Sequence, residues 1–426
     1  MQNFLKKISL IIKDSSLRNR IIFVAGALVI FRLLSVIPVP GVDPLKLQQF
    51  FASPAGDIFG LFNIFSGGGL SKLSIVMLGV GPFITSSIVM QLLTMIFPKL
   101  KQMYQEEGEA GKAKFTQYSR LLTVPLALIQ GGGFLMLLEK SGVVDQLGPL
   151  AMITNIMVVI GGSVLLMWIG ELMTEFGIGN GTSLIIFAGI VSTIPTLIAQ
   201  SAVTFSVSQV PLYLGFAVVS LLVVIGVVIV TEAERPIPVT YAKRVRGSKV
   251  YGGVSTYLPL RVNQAGVIPI IFALSILLFP QMIFQYLSTA ASSGVVHNIA
   301  TFILDILKNG WFYSIFYFIL VFLFTYFYTA VTFDPHAISE NLQKNGAFIP
   351  GVRPGQSTSE YIGKVLTRIT LVGATFLGLI AVMPLAMKAV TGIQSLAIGG
   401  TALLIVVSVV IDLMKKIDAQ VSMREY

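Results

Sequence analysis

Few residues inside the long apolar runs of this chain could take part in acid–base chemistry. Arg32 is the one ionisable residue well inside a run. Glu171 and Glu175 stand at the end of a run beside the glycine-rich turn EFGIGNG, and Asp412 stands near the end of the last run. A proton- or sodium-coupled transporter normally needs carboxylates or a similar relay within the membrane. No such relay is evident here, and we expect Arg32 to bind the neighbouring Pro-Gly turn or to reach the lipid–water boundary.

The residue types present also argue against an enzyme. The 426 residues include no cysteine, which excludes disulfides, thiolate catalysis and zinc–thiolate sites. The two histidines, His297 and His336, are too few for a multi-histidine metal site. No Ser-His-Asp set, HExxH motif or P-loop occurs in the sequence. We therefore expect no catalytic residues, no metal site and no cofactor.

What the apolar runs do contain is many β-branched residues and a few amides and hydroxyls. Val80 and Ile84 are spaced to share one face of a helix. Other bulky residues of this kind are Ile186, Ile268, Ile271 and Ile405. The polar residues are Thr85, Gln130 and Asn263. Taken one at a time, these residues are most simply explained by lipid contact, helix packing and ordinary interhelical hydrogen bonds.

The elements that must position these residues are least regular in the stretch 57–97. It combines a short apolar piece (58–65), three successive glycines (67–69) and a long apolar segment (73–97) that carries Pro82 near its start. This order predicts a short re-entrant helix, a flexible hinge and a kinked span. Because irregular backbone at membrane depth must face protein or a water-filled cavity, the stretch also predicts a cavity. The alternative is an outer loop whose apolar tip rests on the lipid interface.

Composition places the whole chain in a membrane. Hydrophobic residues make up 55% of it and charged residues 11%, with a mean hydropathy of +0.86, whereas about a quarter of the residues of a soluble domain are charged. Runs of spanning length fall at about 21–37, 73–97, 120–138, 150–171, 182–199, 211–231, 264–287, 310–332, 365–387 and 396–414. The predicted fold class is an all-α polytopic membrane protein with ten transmembrane helices.

Lysine and arginine indicate the orientation of these spans. An even number of spans places both termini on one side, and cytoplasmic segments are rich in these residues. Of the 29 lysines and arginines, the only ones predicted on the opposite side are Lys46, Lys72, Lys140, Lys308 and Lys388. Both termini and two long basic loops, 232–263 and 333–364, are therefore predicted to be cytoplasmic. Each loop has short β-prone patches and could project as a hairpin.

The spans divide into two sets of five. The first run has no small-residue cleavage site and is predicted to be a retained span. Before it, residues 1–20 include an amphipathic stretch with lysines, as expected for a helix in the cytoplasmic interface. The predicted halves are 21–205 and 206–414, followed by a cytoplasmic tail, 415–426. Because each half has an odd number of spans, the halves would be inverted relative to each other.

A family resemblance is carried by seven blocks of sequence. They are SGGGLSKLSI, LGVGPFITSSIVMQLL, EFGIGNGTSLIIFAGIV, VTYAKRVRG, LPLRVNQAGVIPIIFA, NGAFIPGVRPGQST and GGTALLIVVSVVID. Together they resemble the SecY/Sec61α family, whose members form the channel of Sec protein translocases, and the similarity is collinear from about residue 20 to 415. The resemblance implies an hourglass pore between two five-helix halves arranged like a clamshell.

The resemblance also assigns roles to residues of this sequence. An apolar pore ring would consist of Val80, Ile84, Ile186, Ile271 and Ile405. A short plug helix at about 58–70 would close the outer funnel; its residues include Ile58, Phe62, Asn63, Ile64, Phe65, Gly67, Gly68 and Gly69. A lateral gate between the second and third helices on one side and the seventh and eighth on the other would carry the polar residues Thr85, Gln130 and Asn263.

Partners and location follow from the same resemblance. A motor or ribosome would dock on the basic loops, at Arg244, Arg246, Lys249 and Arg353. The implied partners are the small membrane subunits SecE and SecG, the SecA ATPase, the ribosome, signal sequences and translocating polypeptides, and the lipid bilayer. The implied location is the bacterial plasma membrane. The first loop departs from the family pattern at its arginine pairs, with Arg235-Pro236 and Ser248-Lys249 in their places.

Two other functions are compatible with parts of this pattern. Inverted halves and a broken helix also occur in secondary transporters of small solutes, but the scarcity of buried ionisable residues argues against one here. A membrane scaffold without a pore is the remaining possibility. The main prediction is a channel that passes unfolded secretory polypeptides and releases hydrophobic segments sideways into lipid.

Overall fold

The computed structural model describes residues 14–41, 43–52, 63, 66, 68–144, 148–203, 210–241, 244–246, 249–251, 255–290, 294–391 and 394–422. The amphipathic N-terminal stretch predicted to lie in the interface falls almost entirely outside these residues.

Helices dominate the described part of the chain. They are α1 Ser15–Leu34, α2 Pro44–Ala52, α3 Gly81–Ile96, α4 Pro98–Gln105, α5 Gly108–Lys140, α6 Pro149–Phe176, α7 Gly181–Val203, α8 Val210–Glu232, α9 Ile268–Ala290, α10 Val295–Lys308, α11 Gly310–Thr332, α12 Pro335–Lys344, α13 Gln356–Thr391 and α14 Gln394–Ser422. The strands are β1 Glu234–Tyr241, β2 Arg244–Arg246, β3 Lys249–Tyr251, β4 Ser255–Arg261 and β5 Ala347–Phe348.

A long helix lies in each of the predicted apolar runs. Among the described residues, four helical segments are long and apolar enough to cross a membrane by length and composition: Gly108–Lys140, Pro149–Phe176, Gly310–Lys344 and Gln356–Met387. Helices α3 and α4 are joined by a sharp bend, and they would form a fifth such segment if the pair is counted as one span. These segments establish a multi-pass helical membrane protein.

The predicted kinked span 73–97 is corrected by the structure. Helix α3 begins only at Gly81, with Pro82 in its first turn. A proline is well tolerated there because the first backbone donors of a helix have no partner within the helix. Pro82 therefore starts the helix instead of kinking it. The sharp bend lies at the other end, where α4 begins at Pro98 and turns away from α3 by 117°.

The two basic loops meet in one small sheet, in the order β4-β1-β5. The first loop forms the antiparallel pair β1–β4, and β5 of the second loop adds to the free edge of β1, with Thr240 opposite Phe348. The second loop is therefore not a separate hairpin, since it consists of α12 and this two-residue strand. The sheet packs on α13 through one buried cluster: Ile237, Val239, Leu260, Ala347, Ile349, Ile362, Val365 and Ile369.

Two larger apolar clusters form the core among the helices. The first gathers buried residues from α1, the start of α3, α6, α7, α8, α9, α11, α13 and α14. The second joins residues 70–78 to α5 and α6. The first cluster thus unites helices from both ends of the chain, and it contains the candidate site.

Candidate functional site

The five predicted ring residues come together in the first apolar cluster. Val80, Ile186, Ile271 and Ile405 are buried members of this cluster, and the half-buried Ile84 packs against it. They are supplied by the start of α3 and by α7, α9 and α14. Residues more than 300 positions apart in sequence therefore belong to one apolar cluster. A constriction of bulky apolar side chains can exclude water and ions by dewetting, and it needs no ionisable group.

Val80 owes its place to an irregular segment, residues 68–80, that precedes α3. The segment consists of turns, with left-handed backbone at Gly68, Leu73 and Gly79. A left-handed leucine is unusual, because its side chain crowds the backbone in that conformation. Leu73 is nevertheless fully buried, so the surrounding packing holds it there.

Hydrogen bonds attach this segment to the turn that follows α1. The amide of Val39 donates to the Leu73 carbonyl at 2.8 Å, and the amide of Ile75 donates to the Ile37 carbonyl at 2.9 Å. The segment therefore satisfies some of its own backbone groups on a neighbouring stretch of chain, as irregular backbone at membrane depth must.

Helix α6 supports the same segment from another side. The buried Ser163 hydroxyl donates to the Gly79 carbonyl at 3.1 Å, directly before Val80. At Gly162 an added Cβ would lie 2.0 Å from the Ile75 carbonyl oxygen, so only glycine permits this approach. The described segment is thus packed against protein on this side, where the sequence predicted a cavity. Sequence reasoning missed both residues, although the pair Gly161-Gly162 inside an apolar run was a possible signal for close packing.

The predicted plug lies largely outside the described residues, which include only Asn63, Gly68 and Gly69 of its eight named positions. The Asn63 carbonyl accepts from the Gly68 amide at 2.8 Å, and its side-chain oxygen accepts from the Ser71 amide at 2.8 Å. At Gly69 an added Cβ would lie 2.8 Å from the Ser74 hydroxyl oxygen. Close contact therefore requires glycine at position 69, and left-handed backbone favours glycine at position 68. Ile58, Phe62, Ile64, Phe65 and Gly67 lie outside the described residues.

The predicted gate residues are placed around α3, α5 and α9, which pack on one another. The hydroxyl of Thr85 donates to the Gly81 carbonyl of its own helix at 3.0 Å. The amide nitrogen of Asn263 donates to the Gly266 carbonyl at 3.1 Å. The side-chain oxygens of Gln130 and Asn263 are buried without a hydrogen-bond partner. No hydrogen bond in the described structure joins these three residues. They therefore lie in the same region of the fold without forming a hydrogen-bond network.

The predicted docking residues lie on the two loops that share the sheet. Arg244 and Arg246 are in β2 and Lys249 is in β3, where it pairs with Arg246 across the hairpin. Arg353 is exposed on the second loop.

The backbone around Arg353 is fixed by nearby side chains. The Thr358 hydroxyl donates to the Arg353 carbonyl at 2.8 Å, and the Ser339 hydroxyl donates to the Gly355 carbonyl at 2.6 Å. Ile349, just before the loop tip, is buried in the sheet cluster. A rigid loop therefore presents an exposed cation.

Three of the ionisable residues singled out in the sequence, Arg32, Glu171 and Asp412, have structural partners. Arg32 donates to the Ser35 hydroxyl at 3.4 Å, in the turn after α1. Glu171 pairs with Arg120 at 2.8 Å, which links α6 to α5, and Asp412 pairs with Lys416 at 2.9 Å. Within the described residues, no group of three His, Asp or Glu side chains is arranged to hold a metal ion.

Comparison with known proteins agrees with this arrangement. The model of the SecY family matches residues 74–414. The protein translocase subunit SecY of Mycobacterium bovis is 41% identical over 441 aligned positions, which cover 97% of each chain.

Two solved structures have the same fold. One, of a protein conducting channel, is 19% identical with a TM-score of 0.67 and covers 96% of this chain and 93% of its own. The other, of a SecY protein whose plug domain is described as stabilising the closed translocation channel, is 20% identical with a TM-score of 0.65 and the same coverage.

The fold and the buried apolar cluster therefore define a multi-pass helical membrane protein with the architecture of these channels. The chain belongs to the SecY family.

Proposed function

We propose that this protein is the channel-forming subunit of a protein translocase, a protein-conducting channel and not an enzyme. The observation that carries this proposal is the convergence of the five ring residues from four distant elements in one apolar cluster. Such a ring excludes water and ions when empty, yet it can flex around an extended polypeptide of any sequence. Ionisable groups in the ring would bind ions or trap charged stretches of the substrate.

The full architecture that we propose has ten transmembrane helices in two inverted five-helix halves, 21–205 and 206–414. The pore lies between the halves, and residues 58–70 form a plug on the outer side. The placement of a long helix in each apolar run and the asymmetric distribution of lysine and arginine support this topology. Both termini and the β4-β1-β5 sheet are cytoplasmic, and the membrane is the bacterial plasma membrane.

Hydrophobic segments leave the pore sideways, through a gate between α3 and α5 on one side and α9 and α11 on the other. Transfer into lipid favours a leucine by about 0.5 kcal/mol and disfavours a lysine or aspartate by about 3 kcal/mol at the membrane centre. Thr85, Gln130 and Asn263 line this gate. The buried, unpaired oxygens of Gln130 and Asn263 support the assignment, because opening would give them new partners.

The driving force comes from partners. SecA and the ribosome dock on the β2–β3 hairpin and the Arg353 loop, where positive charge attracts acidic protein surfaces and RNA. SecE and SecG bind the exposed apolar surface within the membrane. Signal sequences and translocating polypeptides enter from the cytoplasmic side.

Site-specific crosslinking of an arrested secretory chain tests the channel. Photoreactive residues would replace Ile84, Ile186 and Ile271, with Leu221 as the matched control because it is 61% exposed on the outer face of α8. We expect the arrested chain to react at the three ring positions and not at the control. Reaction at Leu221 alone would exclude transport through the ring.

A further inference from the structure

Helix α10 is too short to cross a membrane and joins two long helices. It has 14 residues, about 21 Å at helical rise, against about 30 Å of hydrocarbon. It connects the end of α9 to the start of α11, and it packs on both. Because α9 begins and α11 ends at the sheet, α10 lies at the opposite end of these two helices.

The surface of α10 is divided into three sectors. One sector, centred on Ala300 and Leu304, is buried against the protein. A second carries an exposed apolar stripe in which Val295, Ile299 and Phe302 are 74%, 52% and 65% exposed. At about 100° per residue these three positions lie within about 60° of one another.

The third sector is polar. Asn298 and Asp305 are exposed and lie on one side of the stripe. Val296, the remaining exposed apolar residue of α10, lies on the other side. One side of the exposed surface is therefore apolar and the adjoining side is polar. This division is typical of a helix lying in the boundary between lipid and water.

The position of α11 indicates which surroundings cover the apolar stripe. A single residue, Asn309, separates α10 from α11, and its side-chain oxygen accepts from the amides of Trp311 and Phe312 at 3.1 and 3.4 Å. Trp311 is 81% exposed in the first turn of a helix that can cross the membrane. Exposed tryptophans in such positions mark the level of the membrane interface, so α10 lies at this level.

We propose that α10 lies flat in the lipid–water interface, in the leaflet away from the sheet, with Val295, Ile299 and Phe302 inserted into lipid. The adjoining first turns of α11 also carry exposed apolar residues, among them Phe312 and Ile315. The ionisable residues of α10 are His297, Asp305 and Lys308, which nearly cancel in charge. Insertion is therefore driven by apolar contact and does not depend on anionic lipid.

An interfacial α10 would have a structural effect beyond its own position. It would anchor the adjoining ends of α9 and α11 at a fixed depth, so that these two helices move together in the plane of the membrane. The inference needs only a membrane-embedded chain, and it holds or fails independently of the proposed channel function.

Tryptophan fluorescence tests the depth of α10. The chain has two tryptophans, Trp168 and Trp311, and both would be replaced by phenylalanine. Into this background we would introduce Phe302→Trp and, as the matched control on the polar sector, Asn298→Trp. The purified full-length variants would be reconstituted into phosphatidylcholine vesicles, with and without lipid brominated near the headgroup end of its chains.

We expect brominated lipid to quench Phe302→Trp severalfold more than Asn298→Trp, and aqueous iodide to quench the two in the reverse order. Adding anionic lipid should leave the quenching by brominated lipid unchanged, because apolar contact drives the insertion. Equal access of iodide to the two positions would overturn the proposal, because the stripe would then face water. Shielding of Phe302→Trp from both quenchers would also overturn it, because protein would then cover the stripe.

Discussion

At the scale of single residues, the side chains of the candidate site act mainly by shape and by bonds to backbone. The predicted ring residues lie in or against the first apolar cluster, Ser163 donates to the Gly79 carbonyl, and Asn63 accepts from the Ser71 amide. Arg353, by contrast, offers an exposed charge on a fixed loop. Its charge can therefore be reversed with little risk to the fold.

We predict that Arg353→Glu impairs motor-driven export and leaves insertion and assembly of the protein intact. The reversed charge would repel the acidic surface proposed to dock there. The measurement is transport of a secretory protein into membrane vesicles with the motor present. Lys364→Glu is the matched control, because Lys364 is also exposed and lies a short distance along in α13. Normal export by Arg353→Glu would show that the docking assignment is wrong.

At the scale of elements, α6 acts as a support for the irregular segment 68–80. Gly162 lets the Ile75 carbonyl approach, and Ser163 binds the Gly79 carbonyl. Two consecutive residues of α6 thus contact the backbone of the segment that leads into α3 and to Val80. The adjacent Gly161 has no neighbouring atom within 4 Å of an added Cβ, so it provides an internal comparison.

We predict that Gly162→Ala destabilises the protein and that Gly161→Ala does not. An alanine at 162 would force the backbone of residues 75–80 to move, and overpacking of this kind costs about 1–3 kcal/mol. An alanine at 161 meets nothing and improves helix propensity. Thermal unfolding in detergent would measure both. Equal melting temperatures for the two variants would contradict the close approach of the Ile75 carbonyl to Gly162.

At the scale of the whole molecule, the first apolar cluster and the sheet both join segments that are far apart in sequence. The cluster contains the predicted ring residues from α3, α7, α9 and α14, and the sheet unites two loops that are separated by three helices. Interhelical ion pairs add further links, such as Glu232 with Lys415 between α8 and α14. Each pair is partly exposed and contributes little by itself.

We predict that deletion of residues 58–70 makes the membrane leak small ions. If these residues form the plug, their loss leaves the apolar ring as the sole barrier, and thermal motion would then admit water more often. Ion flux from vesicles containing the purified protein measures this leak. Replacement of the same residues by a flexible linker of equal length is the control for chain connectivity. If vesicles containing either variant show no increase in ion flux, the result would favour a scaffold without a pore.

Much of this architecture was predictable because it depends on local properties of the sequence. Apolar runs of about 20 residues locate the helices, and the i, i+4 spacing of Val80 and Ile84 placed them on one face. The start of α3 was predicted wrongly, because hydropathy continues unchanged from residue 73 to 81 while the backbone does not. The role of Ser163 was not predictable, since its partner Gly79 is 84 residues away.

The sequence by itself determined the class of protein, because this class depends on composition and hydropathy along the chain. Only the tertiary structure decided that Val80, Ile186, Ile271 and Ile405 are buried in one cluster, that the two basic loops share one sheet, and that α10 leaves an apolar stripe exposed. Hydropathy states which residues avoid water. It does not state which residues pack against one another, because packing depends on the shapes of segments that only folding brings together.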